Sequence, residues 1–325
     1  MNPNLTRREM LAAGAAAMGA GALGGLTSCA ITTGKEVTMK SSKNQFRYCL
    51  NTSTLQEPWA KKRPLTIEQE VDFAAKAGYD GVELWLNEID ECDKRGGLKD
   101  LAKRLRDGGL TVEDGIGFAQ WIVDDDAARA KALEQAKRDM DLLAQLGCKH
   151  LAAPPAGKTN ERDADLAKLA ARYRALCDLG DTMGVEPQLE LWGFSKTLSR
   201  IGEVAYVAAE SGHPKAGILL DVYHIYKGGS DFNGLKLLNG GSIHVFHMND
   251  YPDTPARDKI GDQHRVYPGD GIAPLDQFFR DLLAIGFRGA LSVELFNRGY
   301  WKQEPLEVAK TALAKTKAAV KKSLG

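Results

Sequence analysis

The chain has 325 residues, 43% hydrophobic and 26% charged, an ordinary globular composition that excludes a disordered chain. Its 43 Lys and Arg balance 43 Asp and Glu, so it lacks the basic field that draws a phosphate backbone, and nucleic acid is excluded as a general partner. The length suits either two average domains or one large α/β barrel.

The first predicted element is an address. Arg7 and Arg8 stand side by side ahead of a Gly/Ala-rich apolar run from Leu11 to Leu26, the layout of a twin-arginine export signal. The run is shorter than the ~20 apolar residues of a spanning helix, so it reads as a signal and not as an anchor. Leu26-Thr27-Ser28-Cys29 resembles a bacterial lipobox, which makes residues 1–28 a removable signal peptide and Cys29 a lipidation site. Loss of Arg7, Arg8 and Glu9 leaves a net charge of about −1. The five cysteines, at positions 29, 49, 92, 148 and 177, form no C-x-x-C pair, so no zinc knuckle or thioredoxin-type site is indicated. Four of them could form two disulfides outside the cytoplasm, but the resemblance to a twin-arginine signal, whose route moves proteins already folded in a reducing cytoplasm, implies mostly buried thiols.

After a flexible leader, 29–44, the chain alternates two kinds of pattern. Phe46 to Leu50, Gly81 to Leu86, Thr111 to Phe118, Cys148 to Ala153, Gln188 to Trp192, Ala216 to Tyr223, Ser242 to Met248 and Ala290 to Phe296 read as eight strands. Helical periodicity covers Thr66 to Lys76, Leu98 to Asp107, Asp126 to Leu146, Arg162 to Met183, Leu198 to Ser211, a short stretch near Asp231 to Leu238, Pro274 to Ile285 and Glu304 to Lys322. Gly78, Gly147, Gly184 and Gly286 follow helical runs, where a left-handed residue is wanted. Eight units of about 37 residues favour a single-domain (β/α)8 TIM barrel over residues 45–325. No G-x-G-x-x-G follows a strand.

In such a barrel, chemistry sits at the C-terminal strand ends. Four successive ends carry an ionisable residue between apolar neighbours: Glu190, Asp221, His247 and Glu294. Three carboxylates brought together repel one another unless a cation joins them. The steps of 31 residues from Glu190 to Asp221 and 26 from Asp221 to His247 each match one βα unit, and the 47 from His247 to Glu294 contain a long loop from Asp250 to Ile272 without helical pattern. The four residues are therefore expected to converge on one divalent ion. Glu83 follows the same strand-end logic and is expected to touch substrate, and Trp192, Phe118, Trp121 and Phe296 are candidates to stack on a sugar face. His150 and His213 fall at the wrong places for the site, and His244 faces away from His247.

The order Glu190, Asp221 with His224 three residues on, His247 and Glu294 resembles the xylose isomerase-like TIM-barrel superfamily of sugar isomerases and epimerases. The likeness spans nearly the whole mature chain. It implies that Glu190 and Glu294 are both metal ligands and the catalytic acid/base pair, that Asp221 and His247 complete the metal set, and that His224 and an arginine after the metal histidine bind substrate oxygens. That arginine is Arg265, next to His264, itself a substrate-side candidate. The same resemblance points to Mn2+, with Co2+, Mg2+ or Zn2+ permitted by the ligand types.

The implied reaction is proton abstraction next to a carbonyl through an enediolate, giving a keto-sugar epimerase or isomerase. A lyase cleaving 3-keto-glycosides by β-elimination shares that first step. Apurinic endonucleases of the superfamily share the four ligands, but the histidines they need at strand ends two to four are absent here. A non-catalytic carbohydrate-binding lipoprotein is the remaining alternative. The expected partner is a small carbohydrate, with no nucleic acid and with membrane contact only through lipid on Cys29; a homo-oligomer is compatible with the sequence. The expected location is the periplasm, reached by the twin-arginine route.

Overall fold

The computed structural model describes residues 46–60 and 63–325, so the expected signal peptide, Cys29 and the leader lie outside the described residues. Eight parallel strands run β1 Arg47–Asn51, β2 Gly81–Trp85, β3 Thr111–Ile116, β4 His150–Ala153, β5 Glu186–Glu190, β6 Gly217–Asp221, β7 Val245–Met248 and β8 Ala290–Val293. They pair in sequence order, and β8 pairs back onto β1 to close the barrel. The helices are α1 Ile67–Ala77, α2 Leu86–Lys94, α3 Leu98–Asp107, α4 Asp126–Gln145, α5 Leu166–Met183, α6 Ile201–Glu210, α7 Val222–Gly228, α8 Leu275–Ala284 and α9 Pro305–Leu324.

The period-two alternation of the strands divides the core. Leu189, Leu220, Phe246 and Leu291 point outward into the layer between barrel and helices, whereas Cys49, Leu219, Val245 and Ala290 fill the interior. One step above the interior Leu219 and Val245 stand Asp221 and His247, directly paired across β6 and β7. The barrel thus delivers its polar residues inward at the top because its apolar residues fill the bottom.

The helix ends follow local chemistry. Thr66 and Gln69 form a capping box on α1, and Asp125 and Asp165 cap α4 and α5. Gly78, Gly147, Gly184 and Gly286 all adopt positive φ after their helices. Cys49, Cys92, Cys148 and Cys177 are buried free thiols.

Four elements differ from the sequence reading. Two helices arise where no helical run is apparent: α2 follows β2 without a break and buries Glu88 and only three apolar side chains, Leu86, Ile89 and Cys92, and α7 starts immediately after Asp221. The stretch near Asp231 to Leu238 is a 3-10 segment, Phe232–Leu237, with Gly234 inside it. Strand β5 begins at Glu186, two residues early, because Pro187 is accommodated near the strand's start.

Candidate active site

The ends of β6 and β7 set the centre. Asp221 is the N-cap of α7: its Oδ1 accepts from the His224 backbone N–H at 2.7 Å, while its Oδ2 accepts from Asn249 Nδ2 at 2.8 Å. Capping fixes the carboxylate so that Oδ2 faces the barrel axis side occupied by His247 and Glu294. His247 Nδ1 lies 3.2 Å from Glu294 Oε2 and 3.8 Å from Asp221 Oδ2. One donor atom from each of Asp221, His247 and Glu294 falls within 4.8 Å of the others, and all three residues are buried. Glu190, at the end of β5, is outside that trio but electrostatically coupled to it. Burial, helped by Glu294 and Asp221 and opposed by His247, pushes its carboxyl up to about 8.

Arg265 enters from the long loop after β7. Its guanidinium is buried, with Nη1 donating to Asp221 Oδ2 at 2.9 Å and to Glu294 Oε2 at 2.8 Å. Nη2 donates to Asp262 Oδ1 at 2.6 Å and to His224 Nε2 at 3.0 Å. That last bond leaves the His224 ring proton on Nδ1. Burial and Arg265 together lower the His224 pKa, so the ring is neutral. Burial raises the Glu294 carboxyl, yet His247 and Arg265 outweigh it and hold the group well below the usual carboxylate range.

The loop that carries Arg265 is organised by Asp250, whose carboxylate accepts from the backbone N–H groups of Tyr251, Gly269, Gly271 and Ala273 at 2.8 to 3.0 Å. Asp250 also forms an antiparallel bridge with Val266. Gly271 has to be glycine, since a Cβ there would stand 2.3 Å from both Asp250 Oδ1 and the Tyr251 carbonyl oxygen.

A second polar layer lies beneath. Glu83 is wholly buried; its Oε1 lies 3.0 Å from His247 Nε2, and its Oε2 accepts from Asn51 Nδ2 at 3.2 Å and from the Ser292 hydroxyl. The same Asn51 amide reaches Glu294 Oε1 at 3.2 Å, and Asn51 Oδ1 accepts from Trp85 Nε1. Asp114, paired beside Glu83 on β3, is pushed well above the usual carboxylate range by burial and by Glu83. Among the positions expected to meet substrate, Glu83 therefore sits below the centre as a support for His247.

Around the mouth runs a closed circuit of rings. Phe296 stacks on Trp59 at 5.5 Å, Trp59 meets Trp85 at 5.7 Å, Trp85 meets Phe118 at 5.5 Å and Phe118 meets Trp192 at 5.9 Å. Trp192 then meets Phe194 at 5.1 Å, and Phe194 meets His224 at 5.7 Å. The Arg265 guanidinium closes the circuit, 4.9 Å from the Phe296 centroid. Every strand-end segment but that of β4 contributes. Trp59, Phe118 and Phe194 stay 56%, 40% and 49% exposed despite their apolar rings.

The remaining expected residues fall elsewhere. His264 is half-buried, with Nδ1 turned back on the Gly261 backbone. Trp121 is core, donating to the Pro154 carbonyl and packing on Tyr173. His150 and His244 stack on each other at 4.3 Å, and His213 pairs with Asp181. Sequence reasoning did not single out Asn51, Asp114, Asn249 or Ser292. Asn51 carried a usable signal, being a polar strand end directly after the apolar Tyr48-Cys49-Leu50.

The donor set fits a divalent cation. Buried His247 Nδ1 and Glu190 Oε2 have no hydrogen-bond partner, and three carboxylates with one imidazole is a hard, oxygen-rich set suited to such an ion. Glu83 on Nε2 is the outer partner that metal-binding histidines commonly have.

Comparison with known proteins gives four findings. Residues 71–319 match the family described as "Xylose isomerase-like TIM barrel". The inosose isomerase of Bacillus velezensis is 28% identical over 283 residues, covering 85% of this chain and 98% of that protein. The 3-dehydroshikimate dehydratase of Pseudomonas aeruginosa is 26% identical over 242 residues, 72% of this chain but 37% of the longer relative. Among solved structures, an IolI protein with a bound zinc atom superposes with a TM-score of 0.77 at 24% identity, covering 86% of this chain and all of that one.

Proposed function

The chain belongs to the xylose isomerase-like TIM-barrel family, and from that premise we propose that it is a metal-dependent keto-sugar epimerase or isomerase acting at the carbon next to a carbonyl. The observation that carries this reading is the order of the ligands around the barrel. Glu190 on β5 and Glu294 after β8 flank Asp221 and His247 on β6 and β7, so two carboxylates bracket one centre.

Glu190, Asp221, His247 and Glu294 would hold the ion, Mn2+ by family resemblance or Co2+, Mg2+ or Zn2+, and it supplies Lewis acidity to a carbonyl and its neighbouring hydroxyl. The zinc in the IolI structure supports a divalent ion. The protein's own groups do the proton work. One glutamate takes the proton from the carbon, and the other returns one from the opposite flank. His224 Nδ1–H and Arg265 Nε–H, both buried without a partner, are the free donors for substrate oxygens. The inosose isomerase supports an isomerising outcome.

The dehydratase supports a second reading, in which a leaving group at the β position departs from the same enediolate. This is the 3-keto-glycoside lyase alternative, and product identity separates it from epimerisation. The test of the shared step is incubation of a keto-sugar panel in deuterated water with metal-loaded enzyme. Deuterium is expected at the carbon beside the carbonyl, and no exchange with any member overturns both readings.

We also propose export by the twin-arginine route and a lipid anchor on Cys29. Arg7-Arg8 and Leu26-Thr27-Ser28-Cys29 support it.

A further inference from the structure

Between α2 and α4, a cleft of about 1010 Å³ opens beside the barrel mouth, and three of its walls are the rim rings Trp59, Trp85 and Phe118. Cleft and catalytic mouth therefore share one aromatic wall. That volume reaches the top of the roughly 300–1,000 Å³ span of small-molecule sites. Exposed apolar rings contiguous with a site mark a surface that a ligand covers. Beyond the rings the cleft turns polar, lined by Asn87, Gln135 and Asp139, and Asp139 Oδ2 has no hydrogen-bond partner. Flat rings next to amide and carboxylate acceptors match a pyranose, which offers C–H faces and hydroxyl edges. The cleft carries five carboxylates against two basic side chains, a balance that repels phosphorylated ligands.

We infer that the substrate is a neutral glycoside of at least two rings, whose reacting sugar sits over Glu190 and Glu294 while the adjoining ring lies on Trp59, Trp85 and Phe118 and enters this cleft. The inference rests on the carbonyl-sugar reading for the first ring, but the second ring is assigned by the cleft alone. A free monosaccharide covers only the inner part of the rim and leaves Trp59 and Phe118 in water. A two-ring substrate removes both from water, so its affinity is set by these residues.

The test is calorimetric titration of the full chain with cellobiose, maltose and phenyl β-D-glucoside, against glucose. At least one two-ring probe is expected to bind about tenfold or more tighter than glucose, and Trp59→Ala and Phe118→Ala should each erase most of that margin. Trp59→Phe should restore it, which separates ring stacking from a folding defect. Equal affinities for all four probes, or a margin that survives both alanine variants, overturns the inference. Deuterium exchange into keto-sugars is run on the same wild-type preparation. Failed exchange with an intact binding margin sinks the carbonyl chemistry and spares the cleft; exchange without a margin does the reverse.

Discussion

His247 Nε2 stands 3.0 Å from Glu83 Oε1, and neither side chain is exposed to solvent. This contact orients the imidazole so that Nδ1, and not Nε2, turns toward Asp221 and Glu294. Supports of this kind matter because a ring free to rotate presents its lone pair to the ion only part of the time.

Glu83→Gln is therefore expected to weaken divalent-metal affinity by about 10- to 100-fold while all four proposed ligands remain. Chelator competition, read as metal retained per chain, checks this. Unchanged retention would mean that Glu83 is a packing residue only.

Arg265 is the cation that Asp221 and Glu294 share. Arg265→Met removes a buried partner from two carboxylates and is expected to cost about 3–5 kcal/mol in metal-stripped protein. Saturating Mn2+ should recover part of that loss by neutralising the same oxygens. Calorimetric melts with and without metal measure the difference, and an equal loss in both states contradicts the shared-charge account.

Asp250 acts at a distance from the chemistry. Asp250→Ala leaves four backbone N–H groups in the loop from Tyr251 to Ala273 without their acceptor, and a loss of about 3 kcal/mol is expected. Limited proteolysis should cut within that loop, and turnover should fall because Arg265 rides on it. A variant as protease-resistant as wild type refutes the staple.

A pH effect arises well away from the centre, at the buried pair Glu70 and Glu88. Burial pushes Glu88 up to about 7 against the opposing Arg63, 3.3 Å away, and burial with Glu88 nearby raises Glu70 well above its usual value. A carboxyl raised in the folded state binds its proton more tightly there than in the unfolded chain. Stability from this pair is therefore full below the ordinary glutamate pKa near 4.5 and is lost as pH rises through about 7. Urea melts should show wild type weakening from pH 5 to pH 8, and Glu88→Gln should flatten that slope. An equal slope in both proteins rules the pair out as its source.

The sequence made much of this legible, for a physical reason. Strand alternation and helix periodicity are local, so eight βα units and the strand-end positions of Glu190, Asp221, His247 and Glu294 are readable from spacing. The supporting layer is not local. Ser292 and Glu83 meet across 209 positions, and Asn51 joins Glu294 across 243, which no window of sequence reveals. Helix α2 escaped because a short, largely polar segment is held by three buried apolar side chains and not by its own periodicity. Trp121 and Phe118 are alike as sequence, yet the first donates to a buried carbonyl and the second faces solvent on the rim.

The four isolated thiols of the barrel carry one more implication. With Cys49, Cys92, Cys148 and Cys177 all buried and uncrosslinked, assembly of the described residues needs no oxidant and is indifferent to the redox poise of the compartment in which it happens. An alkylating reagent meets them only when the cylinder comes apart, so the rate of labelling would serve as a clock for its spontaneous opening.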